Sequence, residues 1–500
     1  MPNVRAALLL PSLAATLLGC RTRPGVPGPV RISTGSDAPL RAFIDSMTDA
    51  PQFSGTHWGI LIVDPERGDT LYARNAGKLF MPASNMKILT SATALTQLGI
   101  EYRYHTYFVA RGPVTDGTLD GDLLVVGRGD PSVSDHMLHD AMLPLRAIAD
   151  SLATKGIRRI RGSVLAAGDA FPGEVFGFGW SYDDFEESYS APIDELLFNE
   201  GFSELHVRGG DRAGDSVHVE TRPAHSFPRV RVVATTVAGA PGDTALARRR
   251  TLRARKDSTT WDIILEGEIA ARDTAVIEVT HHDPDAAYVA AFREALRDRG
   301  ITVGDSATDA AYGRADTLAT LTSPPLSEIF KALLKPSQNQ IAEMLFRTLA
   351  LEKSGAGRTD SARAVIERQI TAWGAPVPLE AVVRDGSGLA RYDYVSPRTL
   401  VRILDAVRRS PSFTTYYDAL PIAGVDGTIG RRMKGTPAEG NVHAKTGTVS
   451  LARSLSGYVT TADHHMLIFS FLCNNWPGPV STAERVQDAI AERLAAMRLR

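Results

Sequence analysis

Ser84 and Lys87 stand three residues apart in FMPASNMKILTSATAL, at the front of an apolar helical pattern carried by Ile88, Leu89, Ala92, Leu95 and Leu98. On a helix, side chains at i and i+3 share a face, so this spacing puts an amine beside a hydroxyl. A serine hydroxyl is a weak nucleophile until a neighbouring base takes its proton. Lysine serves as that base when burial and nearby positive charge lower its pKa. The helix N-terminus adds unpaired backbone N–H groups that favour an anionic intermediate. A Ser-x-x-Lys spacing is common in a chain of 500 residues, and alone it is more simply read as a helix start with a solvated lysine.

Two distant stretches change that weighing. Ser337-Gln338-Asn339 precedes another apolar helical run in LLKPSQNQIAEMLF, and Lys445-Thr446-Gly447 lies on the strand-like VHAKTGTVSLARS. Ser-x-x-Lys, Ser-x-Asn and Lys-Thr-Gly, in that order, resemble the signature set of serine β-lactamases and penicillin-binding proteins. The resemblance implies a role for each residue. Ser84 becomes the acyl-enzyme, with Lys87 the candidate base. Ser337 relays a proton to the leaving amine, and Asn339 holds the substrate amide and the lysine. Lys445 supplies positive charge for a substrate carboxylate and helps depress the pKa of Lys87, while Thr446 adds a hydroxyl donor. Gly447 lets the substrate backbone approach. The backbone N–H groups of Ser84 and Thr448 would form the oxyanion hole.

A domain-sized stretch separates Ser84 from Ser337, far more than in compact β-lactamases. That layout resembles the class C low-molecular-mass penicillin-binding proteins, the D-alanyl-D-alanine carboxypeptidase/endopeptidase family. Further stretches carry the likeness: LVVGRGDPSVSD, FGFGWSYDDFEESYSAPIDELLFNEG, RDGSGLARYDYVSP and AGVDGTIGRRMKGTPAEGNVHAKTGT. The chief departure is Gln338, where the family usually has Asp; that side chain normally points away from the acyl centre. In relatives that cleave diaminopimelate-containing peptides, an acidic residue and an arginine hold the far amine and carboxylate of the side chain. Those positions correspond to Asp183, or Asp184 at a one-residue shift, and Arg391. Leu389, Trp180 and Val449 would line the pocket.

The elements that must position these residues are legible in outline. HWGILIVDPERGDTLYARNA reads as strand, turn, strand. From Glu101 to about Thr320 come many short β-like runs broken by Gly, Asp and Pro, with a single helical element, AAYVAAFREALRDRG. The chain turns helical from about Ser323 and ends in strands and an amphipathic helix. The expected fold class is α/β (α+β) and multi-domain: a β-lactamase/transpeptidase-like domain, an antiparallel sheet flanked by helices, with a large β-rich insertion. The peptidase domain is assigned to 39–105 and 315–500, and the inserted region to 106–314.

The N-terminus, MPNVRAALLLPSLAATLLGC, has one basic residue and then the apolar run Ala6–Leu18. That run is shorter than the about 20 residues a membrane-spanning helix needs, and suits a signal peptide. The ending Leu17-Leu18-Gly19-Cys20 resembles a bacterial lipoprotein signal, which would make Cys20 the lipidated residue. Residues 1–20 are therefore expected to be a signal peptide and 21–38, rich in Pro, Gly and Ser, a tether. If Cys20 carries lipid, Cys473 has no disulfide partner and reads as a small buried hydrophobe.

Composition excludes several classes. With 43% hydrophobic and 22% charged residues the chain is globular. Its 55 basic and 57 acidic residues form no long single-sign block, so nucleic acid is not an expected partner. His281-His282-Asp283 and His464-His465 read as loop histidines without metal-ligand spacing, and no metal or cofactor is expected. The function expected is a penicillin-binding serine DD-peptidase of the envelope acting on peptidoglycan stem peptides and acylated by β-lactams. The rivals are a serine β-lactamase and a catalytically retired peptidoglycan-binding scaffold.

Overall fold

The computed structural model describes residues 31–32, 38–225, 227–239, 251–307 and 315–499; Cys20 and the rest of the expected signal peptide lie outside them. The architecture is mixed α/β, built on an antiparallel sheet flanked by helices. Its long strands are β1 (His57–Asp64), β2 (Asp69–Arg74), β3 (His443–Val449), β4 (Ala452–Thr460) and β5 (Met466–Asn474). They run in the order β2-β1-β5-β4-β3, so the chain's two ends interleave in one sheet and β3, with Lys-Thr-Gly, lies at its edge. Arg31–Ile32 adds a short parallel strand outside β2.

Both faces of this sheet are covered. Along β5, Leu467, Phe469, Phe471 and Cys473 enter one apolar cluster, and Ile468 and Leu472 enter the other. This is the period-2 alternation of a strand buried on both sides. The layers include the helices α1 (Ala38–Thr48), α2 (Met86–Gln97), α3 (Leu326–Leu334), α4 (Asn339–Ser354), α5 (Pro397–Arg408) and α6 (Val480–Ala496). α1 and α6 cover one face, and α2 to α5 pack on the other. Leu326, Ile329, Phe330 and Leu333 of α3 are all buried, as the apolar stripe of an amphipathic helix requires. Cys473 is buried in β5.

Between α2 and α3 lie smaller sheets. His105–Arg111 pairs with Ala315–Thr322 and with Asp122–Val126, which pairs in parallel with Val164–Ala167. The strand that follows α2 thus lies directly beside the strand that precedes α3. Further on, Phe202–Arg208 lies between His218–Arg222 and Thr274–Thr280.

One sequence expectation, a single helical element in this region, is corrected here. The region holds a second substantial helix, Met142–Thr154, packed with Pro284–Asp298 in one apolar cluster. Its buried Met142, Leu145, Ile148, Ala149 and Leu152 have helical spacing. Pro144 sits in its first turn, where the missing N–H has no intrahelical partner to lose. His281 lies in the loop after Thr274–Thr280, yet it is buried there, with Nε2 2.8 Å from Ser203 Oγ, and burial pushes its pKa down to about 3.

Candidate active site

Ser84 sits in the tight turn Ala83–Asn85 that feeds α2. Two long-range hydrogen bonds pin this turn against the edge of the sheet. Asn85 Nδ2 donates to the Lys445 carbonyl at 2.8 Å, and Ser454 Oγ donates to the Pro82 carbonyl at 2.7 Å. The approach is so close that a Cβ on Gly447 would lie 2.7 Å from the Pro82 oxygen and 2.9 Å from the Ser84 nitrogen. Only glycine leaves this space. Gly388, at φ +84°, is held the same way from the other side, where a Cβ would collide with the Ala83 carbonyl.

Lys87 is fully buried in the first turn of α2. Its Nζ reaches three oxygens: Ser84 Oγ at 2.9 Å, Asn339 Oδ1 at 2.6 Å and the Ser387 carbonyl at 2.9 Å. Burial pushes its pKa down to about 7, against the opposing pull of the Asp385 and Glu343 carboxylates. Lys445 is buried too; desolvation first, and then the nearby Lys87 charge, hold it well below its ordinary value. The pair therefore cannot hold two full charges without cost. Burial is what lowers Lys87, and the Lys87 charge acts on Lys445, whereas the resemblance implied that Lys445 helps depress Lys87.

The carboxylates behind Lys87 organise the Asp385–Leu389 loop. Glu343 Oε1 accepts from the N–H of Gly386 (3.0 Å) and of Ser387 (2.8 Å). Asp385 accepts from Gly388 N and Ala390 N, both at 2.7 Å, and from the Trp180 indole at 3.0 Å. Burial, reinforced by Asp385, raises the Glu343 pKa to about 8. Asp385 belongs to the RDGSGL stretch quoted from the sequence, but Glu343 went unnoticed, since a lone glutamate in an apolar helix has no local signature.

Ser337 and Asn339 come from the junction of α3 and α4. Ser337 adopts φ +70°, which turns the chain sharply between the two helices. Asn339 uses Oδ1 for Lys87, while its Nδ2 donates to the Tyr189 carbonyl at 2.8 Å. Gln340 Nε2 donates to the neighbouring Ser188 carbonyl at 2.9 Å. The start of α4 therefore also suspends the loop that carries Asp183 and Asp184.

These residues open on a cleft of about 740 Å³. Ser84, Ser337, Asn339, Thr446, Gly447, Thr448, Asp183, Asp184, Leu389, Arg391 and Val449, all named from the sequence, line it. Asp183 is exposed, whereas Asp184 accepts from the Tyr189 hydroxyl at 2.8 Å. Arg391 Nη1 donates to the Ser450 carbonyl at 3.3 Å. Trp180 is the exception: it stands behind the wall among Phe171, Ile193, Leu197 and Leu389, because its indole N–H is spent on buried Asp385. Thr428, missed in the sequence reading, also lines the cleft with its Oγ1 2.7 Å from Thr446 Oγ1.

A serine on a helix-start turn, a buried lysine beside it, and an edge strand bordering the cleft have the geometry that serine–lysine acyl transfer requires, on a transpeptidase-like fold. A family model described as D-Ala-D-Ala carboxypeptidase 3 (S13) family matches residues 40–497. A D-alanyl-D-alanine carboxypeptidase of Actinomadura sp. (strain R39) is 34% identical over 510 residues, covering 98% of this chain and 90% of that protein. The D-alanyl-D-alanine carboxypeptidase DacB of Haemophilus influenzae is 24% identical over 431 residues, covering 84% of this chain and 86% of that one. The crystal structure of penicillin binding protein 4 (dacB) from Haemophilus influenzae matches the fold with a TM-score of 0.77 at 22% identity, covering 91% of this chain and 99% of that one. The chain belongs to the D-Ala-D-Ala carboxypeptidase (S13) family.

Proposed function

We propose that this member of a serine D-Ala-D-Ala carboxypeptidase family works through a Ser84 acyl-enzyme on peptidoglycan stem peptides. The observation that carries this reading is the Lys87 nitrogen, buried, 2.9 Å from Ser84 Oγ and with a pKa near neutrality. Neutral Lys87 takes the Ser84 proton as the oxygen attacks the carbonyl of the penultimate D-Ala. The developing oxyanion lies against the N–H groups of Ser84 and Thr448. The proton passes by way of Ser337 to the leaving amine, and water then releases the acyl group. An incoming substrate carboxylate, held by Thr446 and Thr428, restores the charge on Lys445 because an adjacent anion favours the ammonium form.

Asp183 and Arg391 offer opposite charges to a side chain that ends in a zwitterion, with Leu389 and Val449 beside its stem. That pattern favours diaminopimelate-type peptides, as a free terminus or a cross-link, so endopeptidase cleavage belongs to the same proposal. β-Lactams acylate Ser84 as substrate mimics. The chain divides into a peptidase domain, 39–105 with 315–500, and an inserted accessory region, 106–314. Residues 1–20 direct export to the periplasm or cell envelope, and Cys20 carries a lipid anchor.

Fluorescent penicillin should label wild type and leave Ser84→Ala unlabelled. Purified cross-linked muropeptides should lose D-Ala or be split, read by mass spectrometry. Rapid turnover of a chromogenic cephalosporin in place of a long-lived adduct would sink the peptidase reading.

A further inference from the structure

Gln338 is the middle residue of Ser-x-Asn, and its amide is used at both ends. Its Oε1 accepts from the Gln340 N–H at 2.6 Å and caps α4. Its Nε2 donates to Glu200 Oε2. Glu200 belongs to the region between α2 and α3, 138 positions away. It is 5% exposed, and its other oxygen, Oε1, accepts from Ser134 Oγ at 2.6 Å. Ser134 in turn accepts from the N–H groups of His136 and Met137. The carboxylate is thus held from behind and offers one fixed acceptor to Gln338.

The backbone that delivers Glu200 is unusual. Asn199 and Glu200 adopt φ +48° and +57°, a conformation costly for residues with a Cβ. Asn199 secures the turn: its Oδ1 accepts from Asp135 N at 2.9 Å, and its Nδ2 donates to the Phe202 carbonyl at 2.8 Å. Ser337 carries the same kind of strain, at φ +70°, one residue before Gln338. Strained backbone persists where surrounding contacts over-determine it. Asn339 is held directly by Lys87 and by the Tyr189 carbonyl, and the Gln338–Glu200 bond fixes from outside α3 and α4 the residue that joins it to Ser337.

We infer that Glu200 is a positioning residue for the acyl-transfer site, acting through Gln338 to hold Ser337 and Asn339 against Lys87. The inference rests on the acyl-enzyme reading above. It explains why an amide stands at position 338: an acid there could cap α4 but would present a second carboxylate to Glu200. The two positions are matched, one donor to one acceptor.

The matching makes the test reciprocal. Gln338→Glu keeps a helix-capping oxygen, loses the donor and sets two carboxylates face to face. With a D-Ala-D-Ala peptide, kcat should fall by about 10- to 100-fold and KM change less than about threefold, since misplacement acts on the reacting groups. Fluorescent-penicillin acylation should slow in parallel. The exchanged double variant, Glu200→Gln with Gln338→Glu, restores one donor and one acceptor and should return both rates to within about threefold of wild type. Wild-type rates in Gln338→Glu overturn the inference, as does a double variant no faster than the single one. If Gln338→Glu does not fold, the double variant decides: folded and acylating near the wild-type rate it supports the pairing, and otherwise it overturns it. Wild type that penicillin fails to label overturns the acyl-enzyme reading and this inference with it; wild type that labels beside an equally fast Gln338→Glu overturns the positioning role alone.

Discussion

Lys87 Nζ lies 2.6 Å from Asn339 Oδ1, although 252 positions separate the two residues. That contact joins the first and second motifs into one polar unit at the floor of the cleft. The third motif is attached by the Asn85 bond to the Lys445 carbonyl.

The first prediction concerns pH. Lys87 acts as a base only when neutral, and burial brings its pKa to about 7. Below that pH the acylation rate should rise about tenfold per unit, and above it level off. Stopped-flow labelling with fluorescent penicillin from pH 5 to 9 measures this; a flat profile across neutrality would exclude Lys87. Linkage runs in the same direction. The unfolded chain keeps this proton up to the ordinary value of 10.5 while the folded protein releases it near 7, so the Lys87 contribution to stability grows with pH across that window.

Asp385→Asn should move that profile. The Asp385 carboxylate raises the Lys87 pKa against burial, so removing its charge shifts the midpoint of the acylation profile to lower pH. The variant also weakens the bonds from Gly388, Ala390 and Trp180, at a cost of about 1–3 kcal/mol in urea unfolding. A midpoint that moves upward would contradict the assignment.

Gly447→Ala tests the close approach of β3 to the nucleophile turn. The new Cβ would meet the Pro82 oxygen at 2.7 Å and the Ser84 nitrogen at 2.9 Å, both backbone atoms. Separating the turn from the strand by even about 1 Å should slow acylation on the order of 100-fold. Comparing labelling rates with thermal unfolding separates this local effect from global instability.

Arg391→Ala and Asp183→Ala should discriminate between substrates. Each should lower kcat/KM about 10-fold or more for peptides whose side chain ends in a zwitterion. Peptides with an uncharged side chain should be cleaved nearly as before. Equal losses on both substrates would remove the charge-reading role.

Thr428→Val removes the hydroxyl 2.7 Å from Thr446 Oγ1. The loss of one neutral donor to the substrate carboxylate should raise KM by about three- to tenfold with little change in kcat. An unchanged KM would show that Thr446 suffices.

Much of the chemistry was local and therefore legible. Helical geometry alone puts Lys87 beside Ser84, and the apolar run HMLIFSFLCNN reads as a strand. The helix Met142–Thr154 was also written in its apolar spacing, but Pro144 resembles a breaker unless the position of the first turn is known. Trp180 reads equally well as a pocket wall or a buried donor, and only the position of Asp385 separates the two.

Residue identity and short-range spacing thus determined which groups are proposed to carry chemistry: Ser84 with Lys87, Ser337 with Asn339, and Lys445 in a strand. Tertiary structure decided their state. Whether Lys87 is neutral depends on desolvation and on Asp385 and Glu343, supplied by elements far along the chain. Whether Gln338 is a departure or a matched partner depends on Glu200 arriving from another part of the fold. Spacing sets direction along one element; dielectric and partners are properties of the packed whole.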